Sequence, residues 1–252
     1  MIENIINILW LDEYENIRKI PKNIFYKEDD FSKSNEKLFT KDVNTIHIIS
    51  ALNKNSINIS TYKTDDHNYS EIYYIYVSLK SNNRVWEIKN IIHSIIPNPC
   101  IIILWHSDSI TISTATKRIN KNDNTKQVIE DYFTTNKIDL IYSTKIEKEF
   151  LTDIVLINNS FENFKRFYLD FSNKVLIMKT SELRWWYKKT SLENIEILLK
   201  LNKYYKLLNQ DIDTLNNKYN DEIAMWPKAI LHSKIIAKEK ELTDTKLQIK
   251  EI

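Results

Sequence analysis

Lys117, Arg118, Asn120 and Asp123 close the stretch from Ile96 to Asp123 as K-R-I-N-K-N-D. A lysine beside an arginine at a strand end can hold a phosphate or another anion. Adjacent residues of an unbroken strand point to opposite faces, so both cations reach one anion only where the strand breaks. The plainer reading is a polar strand end, with Asn122 or Asp123 starting the next element, and the pattern favours it. A second candidate is L-R-W-W-Y-K-K at Leu183 to Lys189, where Lys179, Arg184, Lys188 and Lys189 surround one acid, Glu182. Tryptophan faces stack on bases and cations take phosphates. The competing reading is a helix end, with the tryptophans buried on the sheet domain and the lysines at the negative end of the dipole. The candidate nucleic-acid-binding residues are therefore Lys117, Arg118, Asn120, Arg184, Trp185 and Trp186.

A restriction-type nuclease needs an Asp and a Glu-x-Lys on neighbouring strands, to hold a metal ion that activates water. Glu87-Ile88-Lys89 has that spacing but falls in a helical pattern, and Ala115 stands where the strand ending in Lys117 would need its acid. Asp65-Asp66 and Glu130-Asp131 are the other dense acid pairs, and each reads better as a solvated turn or helix face. A nuclease built from Asp65, Asp66, Glu130 and Lys117 is the weakest of the functional readings, and the catalytic residues stay unknown. His47, His67, His93, His106 and His232 lack metal-ligand spacing, so neither a metal site nor a cofactor is expected. There is no glycine, which excludes Walker loops, dinucleotide-binding turns and nucleophile elbows. Turns must use Asn, Asp and Ser, which tolerate left-handed backbone best after glycine. The single cysteine, Cys100, lies in an apolar run and reads as a buried thiol.

These residues need a sheet to position them. Pro97 and Pro99 stop the preceding segment, Cys100 to Trp105 reads as a central strand, and His106 to Ser109 as its turn. Ile110 to Lys117 alternates as the returning strand, with Thr111, Ser113, Ala115 and Lys117 on one face. Upstream, the spacing predicts a helix over Ile2 to Trp10 and an extended connector from Ile20 to Tyr26. It predicts a helix from Lys41 to Leu52 capped by Thr40 and striped by Val43, Ile46, Ile49 and Leu52. Strands follow at Ile57 to Thr61 and Ile72 to Leu79, with a polar loop between them, then a helix from Arg84 to Ile95. Residues 125 to 140 fit either a helix or a strand.

Past residue 157 the period changes. Phe161, Phe164, Tyr168, Phe171, Val175 and Met178 recur at gaps of three and four, with Ser160 as N-cap. Leu198, Leu201, Tyr205, Leu208, Ile212, Leu215 and Tyr219 continue that spacing and are the expected oligomerisation residues, a coiled-coil seam. A helix from Leu192 to Trp226 should run until Pro227 ends or kinks it, and a last helix carries Ile235, Leu242 and Ile249. The seam can close within the chain or between two chains; its length favours a dimer or a larger complex. The expected fold class is α+β: a mixed α/β sheet domain, residues 1–157, followed by a long-helix coiled-coil region, residues 158–252. A net charge of +2 gives no strong field toward nucleic acid or membrane. Glu3 interrupts the apolar start, and no run reaches a membrane span, so no membrane partner is expected and the cytoplasm is the expected location.

Five motifs occur in order: I-P-K-x-I-F-Y at Ile20, K-x-F-T-x-D at Lys37 to Asp42, I-N-I at Ile57, I-P-x-P at Ile96 to Pro99, and K-R-I-N-x-x-D at Lys117 to Asp123. As a set they resemble DUF4391, a bacterial and archaeal family, over most of the chain including the Lys-rich helical tail. The chain departs from the pattern at Asn136-Lys137, in a segment that often carries tryptophan. The resemblance implies an accessory protein encoded beside helicase-like and DNA methyltransferase genes in restriction or anti-phage loci, and it carries over no catalytic residue. The leading expectation is a non-catalytic accessory or assembly subunit of a DNA-acting defence system. Its helical tail would bind a second copy or a helicase- or methyltransferase-type partner. A nucleic-acid-binding module is the alternative.

Overall fold

The computed structural model describes residues 1–27 and 31–252, with the backbone alone at 124 and 125. The chain forms two compact units, Met1–Lys179 and Thr180–Ile252. In the first, the order is α1 (Ile2–Leu9), β1 (Glu15–Lys19), α2 (Asn23–Tyr26), α3 (Lys33–Asp42), β2 (Val43–Asn53), β3 (Tyr62–Lys63), β4 (Asn68–Tyr69) and β5 (Glu71–Leu79). Then come α4 (Val85–Ile95), β6 (Cys100–His106), β7 (Ser109–Asn120), β8 (Asp123–Thr134), β9 (Ile138–Asp139), α5 (Lys145–Asp153) and α6 (Phe164–Arg184), which runs on into the second unit.

One mixed sheet organises the first unit, in the order β1-β2-β5-β6-β7-β8, with β9 also on β7. Only β5 and β6 pair in parallel among the described ladders, and α4 is the crossover that parallel neighbours require. β6 and β7 are joined by Ser107 and Asp108 alone, and Ser107 takes the left-handed φ of 54° that a glycine would otherwise supply. One face of the sheet packs Val43, Ile46, Ile75, Val77, Ile102 and Leu104 under α2, α3 and α4. On the other face Tyr74 meets Phe171 of α6 edge-on, ring centroids 6.1 Å apart. Phe164, Tyr168, Phe171, Val175 and Met178 are buried, so the expected stripe on α6 holds, except that Phe161 precedes the helix and is exposed.

Several expectations need correction. Residues 43–52 are strand β2, not a helix, and Thr40 lies inside α3, whose cap is Ser32. The buried Val43, Ile46, Ile49 and Leu52 are three apart because the register with β5 shifts twice, between Val43 and Thr45 and between Ile48 and Ser50. Each shift changes which face the following residues meet, and a bulged strand then imitates a helical stripe. Ile57 and Ile59 are buried from a loop, not from a strand. The connector near Pro21 contains the helical turn α2, preceded by β1. Residues 123–134 are strand β8. On α6, Asn163 Oδ1 accepts the N–H of Arg166 at 2.9 Å, so Asn163 serves as the cap, not Ser160.

The second unit is dominated by α7 (Leu192–Asp221) and α8 (Met225–Glu251). Tyr204 donates to Glu241 at 2.8 Å, Lys238 pairs with Asp211 at 3.7 Å, and the Tyr219 and His232 rings lie 5.9 Å apart. As the number on α7 rises its partner on α8 falls, so the two helices form an antiparallel hairpin. At 30 residues α7 is about 45 Å long. Along its stripe Leu198, Leu208 and Ile212 are buried, while Leu201, Tyr205, Leu215 and Tyr219 are half-buried. A helix of the same chain runs along α7, so the length of the stripe does not call for a second chain. Pro227 does not end α7; it sits in the first turn of α8, where a missing N–H costs no helical bond.

Candidate functional site

The K-R-I-N corner is the tip of the β7–β8 hairpin, where Asn120 pairs with Asp123 across Lys121 and Asn122. Asn120 Oδ1 accepts the N–H of Asn122 at 3.0 Å, an Asx turn doing what glycine does elsewhere. The ladder shifts between Thr116 and Lys117 and again between Ile119 and Asn120. Lys117 is buried, and its ammonium donates to the carbonyls of Ile96 and, at 3.2 Å, Asn98. It ties the loop around Pro97 to the sheet. Burial pulls its pKa below the ordinary lysine value. Arg118 is half-buried, and its Nη1 lies 3.5 Å from the carbonyl of Ile119. The two cations therefore do not converge on one exposed anion site.

The structure brings the Asp65-Asp66 turn to this corner. β3 and β4 form a small hairpin around that turn, and Ile119 N–H donates to the Asp66 carbonyl at 2.7 Å. Lys121 Nζ lies 3.7 Å from the Asp66 carboxylate. The other end of the hairpin meets the start of α6: Phe164 N–H donates to Ser60 O at 2.9 Å, and Lys165 Nζ sits 4.7 Å from the centre of the Tyr62 ring. Tyr69 is buried against Tyr168, and its hydroxyl pKa is raised by burial and then by the Glu130 carboxylate. Lys63, Lys121 and Lys126 are exposed here, but so are Asp65, Asp66 and Glu130. The corner is charge-balanced, not basic. Glu87 and Lys89 lie on α4, as the helical pattern predicts. Among the described residues no group of three His, Cys, Asp or Glu side chains is placed to hold a metal ion.

Beneath α4 a polar chain crosses the core, which spacing rules alone miss. Cys100 Sγ lies 3.3 Å from His93 Nδ1, His93 Nε2 lies 3.1 Å from Ser113 Oγ, and Ser113 Oγ lies 3.1 Å from Thr134 Oγ1. Burial holds the His93 pKa well below its ordinary value, and the charges of Lys117 and Lys89 add to this. Burial raises the Cys100 thiol pKa. Both groups are held neutral, the opposite of a thiolate–imidazolium pair. This chain joins α4 to three strands. The only sequence signal was a histidine beside the Ile88–Ile92 stripe, seven residues before the cysteine.

In the second unit, L-R-W-W-Y-K-K is a helix end. Trp185 takes a φ of 65° and its N–H donates to Ser181 O at 2.7 Å, which terminates α6. Trp185 is not buried as a helix-end packing residue would be: it is 78% exposed. Arg184 is buried, with its guanidinium 5.0 Å from the centre of the Trp186 ring, and burial lowers its pKa. Lys188 and Lys189 are exposed. The Arg184–Trp186 group and the Lys117–Asn120 group belong to different units.

The connection between α7 and α8, with the first turn of α8, carries an exposed apolar surface. Ile223 is 96% exposed, Met225 88% and Trp226 78%. Beside them a shallow groove is lined by Lys218, Asp221, Glu222, Pro227, Ile230 and Leu231. The sequence signal is I-A-M-W before Pro227, an apolar run where helix connections are usually polar.

No helix among the described residues is long and apolar enough to cross a membrane. Comparison with curated proteins finds no match. Comparison with solved structures finds none either. The family model described as "Domain of unknown function (DUF4391)" matches residues 12–242, nearly the whole chain, with the proline-flanked loop and the K-R-I-N corner inside it, and the chain belongs to the DUF4391 family.

Proposed function

We propose that this protein is a non-catalytic accessory or assembly subunit of a DNA-acting defence system, restriction-like or anti-phage, and that it binds a partner protein through the end of its helical hairpin. The observation that carries the reading is the apolar cluster Ile223, Met225 and Trp226, each more than three-quarters exposed. Exposed apolar groups clustered at one point mark interaction sites, since leaving them in water is otherwise a liability. Tryptophan and methionine are among the residues enriched where proteins meet. The long stripe of α7 runs against α8, so these exposed groups at the joined end of the hairpin are what it offers a partner. The defence context rests on the family resemblance alone.

The test is co-purification with a helicase- or methyltransferase-type protein encoded in the same locus. The partner should be retained by the wild type and lost by Ile223→Ser/Trp226→Ser, with the circular dichroism of the variant unchanged. Equal retention by both would overturn the reading. The exposed Trp185 beside Lys188 and Lys189 favours a second reading, binding of single-stranded nucleic acid by stacking and charge. A salt-dependent mobility shift lost in Trp185→Ala would support it.

A further inference from the structure

The groove beside the hairpin tip does not stop at Leu231. A second shallow groove, between Asp211 on α7 and Lys238 on α8, shares Lys218 with it. The two linings together run from Asp211 to Glu222 on α7 and from Pro227 to Lys238 on α8, in steps of mostly three and four residues. That spacing is one face of each helix, so the grooves form one trough along one side of the antiparallel pair. From Asp211 to Glu222 it is about 16 Å long, roughly three helical turns. Its apolar lining is Leu215, Pro227, Ile230, Leu231 and Ala237, none of them buried, and Ile230 is 44% exposed. A trough between two helices offers no unpaired backbone to a strand. A third helix brings its own backbone already bonded and sets a ridge of side chains into the trough.

The charges are sorted along it. At the end away from the tip, Asp211 and Lys238 pair with each other at 3.7 Å. In the middle, Lys218 and Lys234 are exposed, and neither has an ion pair among the described residues. At the tip end stand Asp221 and Glu222. A second copy laid trough to trough about a twofold axis through the middle sets these lysines against their own copies, which repel. The complement is an occupant with acids at its centre and a base toward the tip.

We propose that the trough receives an amphipathic helix of a partner protein, about three turns long, with acidic side chains over Lys218 and Lys234 and a basic one near Asp221. This rests on the reading that the hairpin end binds a partner protein, and it states what that partner presents. Ile223, Met225 and Trp226 lie where the trough meets the tip, so the same partner covers both.

Fluorescence anisotropy of the full chain with two labelled peptides tests this. Both are alanine-based helices of about 18 residues, long enough to hold helix alone, with leucines three and four apart. One carries glutamates beside the leucines of its central turn, and the other carries lysines there. The glutamate peptide should bind about tenfold more tightly at low salt. Lys218→Glu/Lys234→Glu should reverse that order, and its gain of the lysine peptide shows that the variant is folded. Lys218→Gln/Lys234→Gln should bind the two alike. Ile230→Ser, at an exposed position, should weaken both. The proposal is overturned when neither peptide binds, when the wild type binds both equally, when the charge reversal leaves the order unchanged, or when Ile230→Ser has no effect. Co-purification with the partner from the same locus separates the two proposals. A partner lost by Ile223→Ser/Trp226→Ser but retained by Lys218→Glu/Lys234→Glu overturns this one and leaves the tip reading standing. A partner retained by both variants overturns both, and one lost by both supports both.

Discussion

The hydroxyl of Tyr168 accepts the backbone N–H of Ala115 at 2.9 Å, linking α6 to β7 across the packed face of the sheet. The same oxygen lies 2.9 Å from the carbonyl of Cys100 and 3.0 Å from that of Ala115. The β6–β7 ladder begins at Ile102 and Ser113, and Cys100 and Ala115 would be two steps further along it. The tyrosine hydroxyl thus stands in for a ladder bond. Tyr168→Phe should cost about 1–3 kcal/mol, because it strips partners from buried backbone groups. Tyr74 is as deeply buried, but its hydroxyl has no partner among the described residues. Tyr74→Phe should therefore be neutral or stabilising. Urea denaturation of both variants checks the contrast, and equal losses would contradict it.

His93 makes stability depend on pH. Lys117 and Lys89 face it as cations, Cys100 and Ser113 as hydrogen-bonding neighbours, and Tyr132 as a ring 5.8 Å away. Its folded pKa is lowered, whereas unfolded histidine takes its proton near about 6.5. Between those values the unfolded chain binds more protons, so stability falls as pH falls below about 6.5 and is unaffected by this group above it. His93→Gln should flatten the decline seen by denaturant titration. His47, whose pKa burial and Lys19 also lower, leaves a smaller slope of the same sign.

Lys117 is a strut. Lys117→Met keeps the length of the side chain but leaves the Ile96 and Asn98 carbonyls without their donor. The loss should be about 1–3 kcal/mol, and it should be local, with protease cutting faster near Pro97 than elsewhere. Uniform acceleration along the chain would show that the lysine does not hold that loop.

How far the sequence could be read is clear from β2 and β7. β7 and its turn were legible because Ser107-Asp108 separates two runs of plain β character. β2 was not, because two register shifts gave its buried residues the spacing of a helix. Lys117 was misplaced too: the ladder shifts between Thr116 and Lys117 but resumes and runs on to Asn120, so Lys117 lies inside a twelve-residue strand and not at its end. The contact between Asp66 and Ile119 joins segments more than fifty residues apart, and no local pattern encodes it. The apolar tip of the hairpin was visible as letters, but exposure is a property of the fold.

Neighbouring leucines on α7 give the sharpest test of the hairpin. Leu208 is 1% exposed and Leu207 57% exposed. Both are leucine, in one helix, with the same intrinsic propensity, so any difference between their alanine variants reports packing alone. Leu208→Ala removes buried methyl groups and leaves a cavity, at a cost of about 2–5 kcal/mol. Leu207→Ala should change stability by less than about 0.5 kcal/mol, because it deletes surface that water already covers and improves helix propensity slightly. The readout must belong to the hairpin itself: hydrogen exchange along α7 and α8. Equal effects would mean that α7 and α8 do not pack in this register, and the placing of Trp226 at the joined end of a packed hairpin would fall with it.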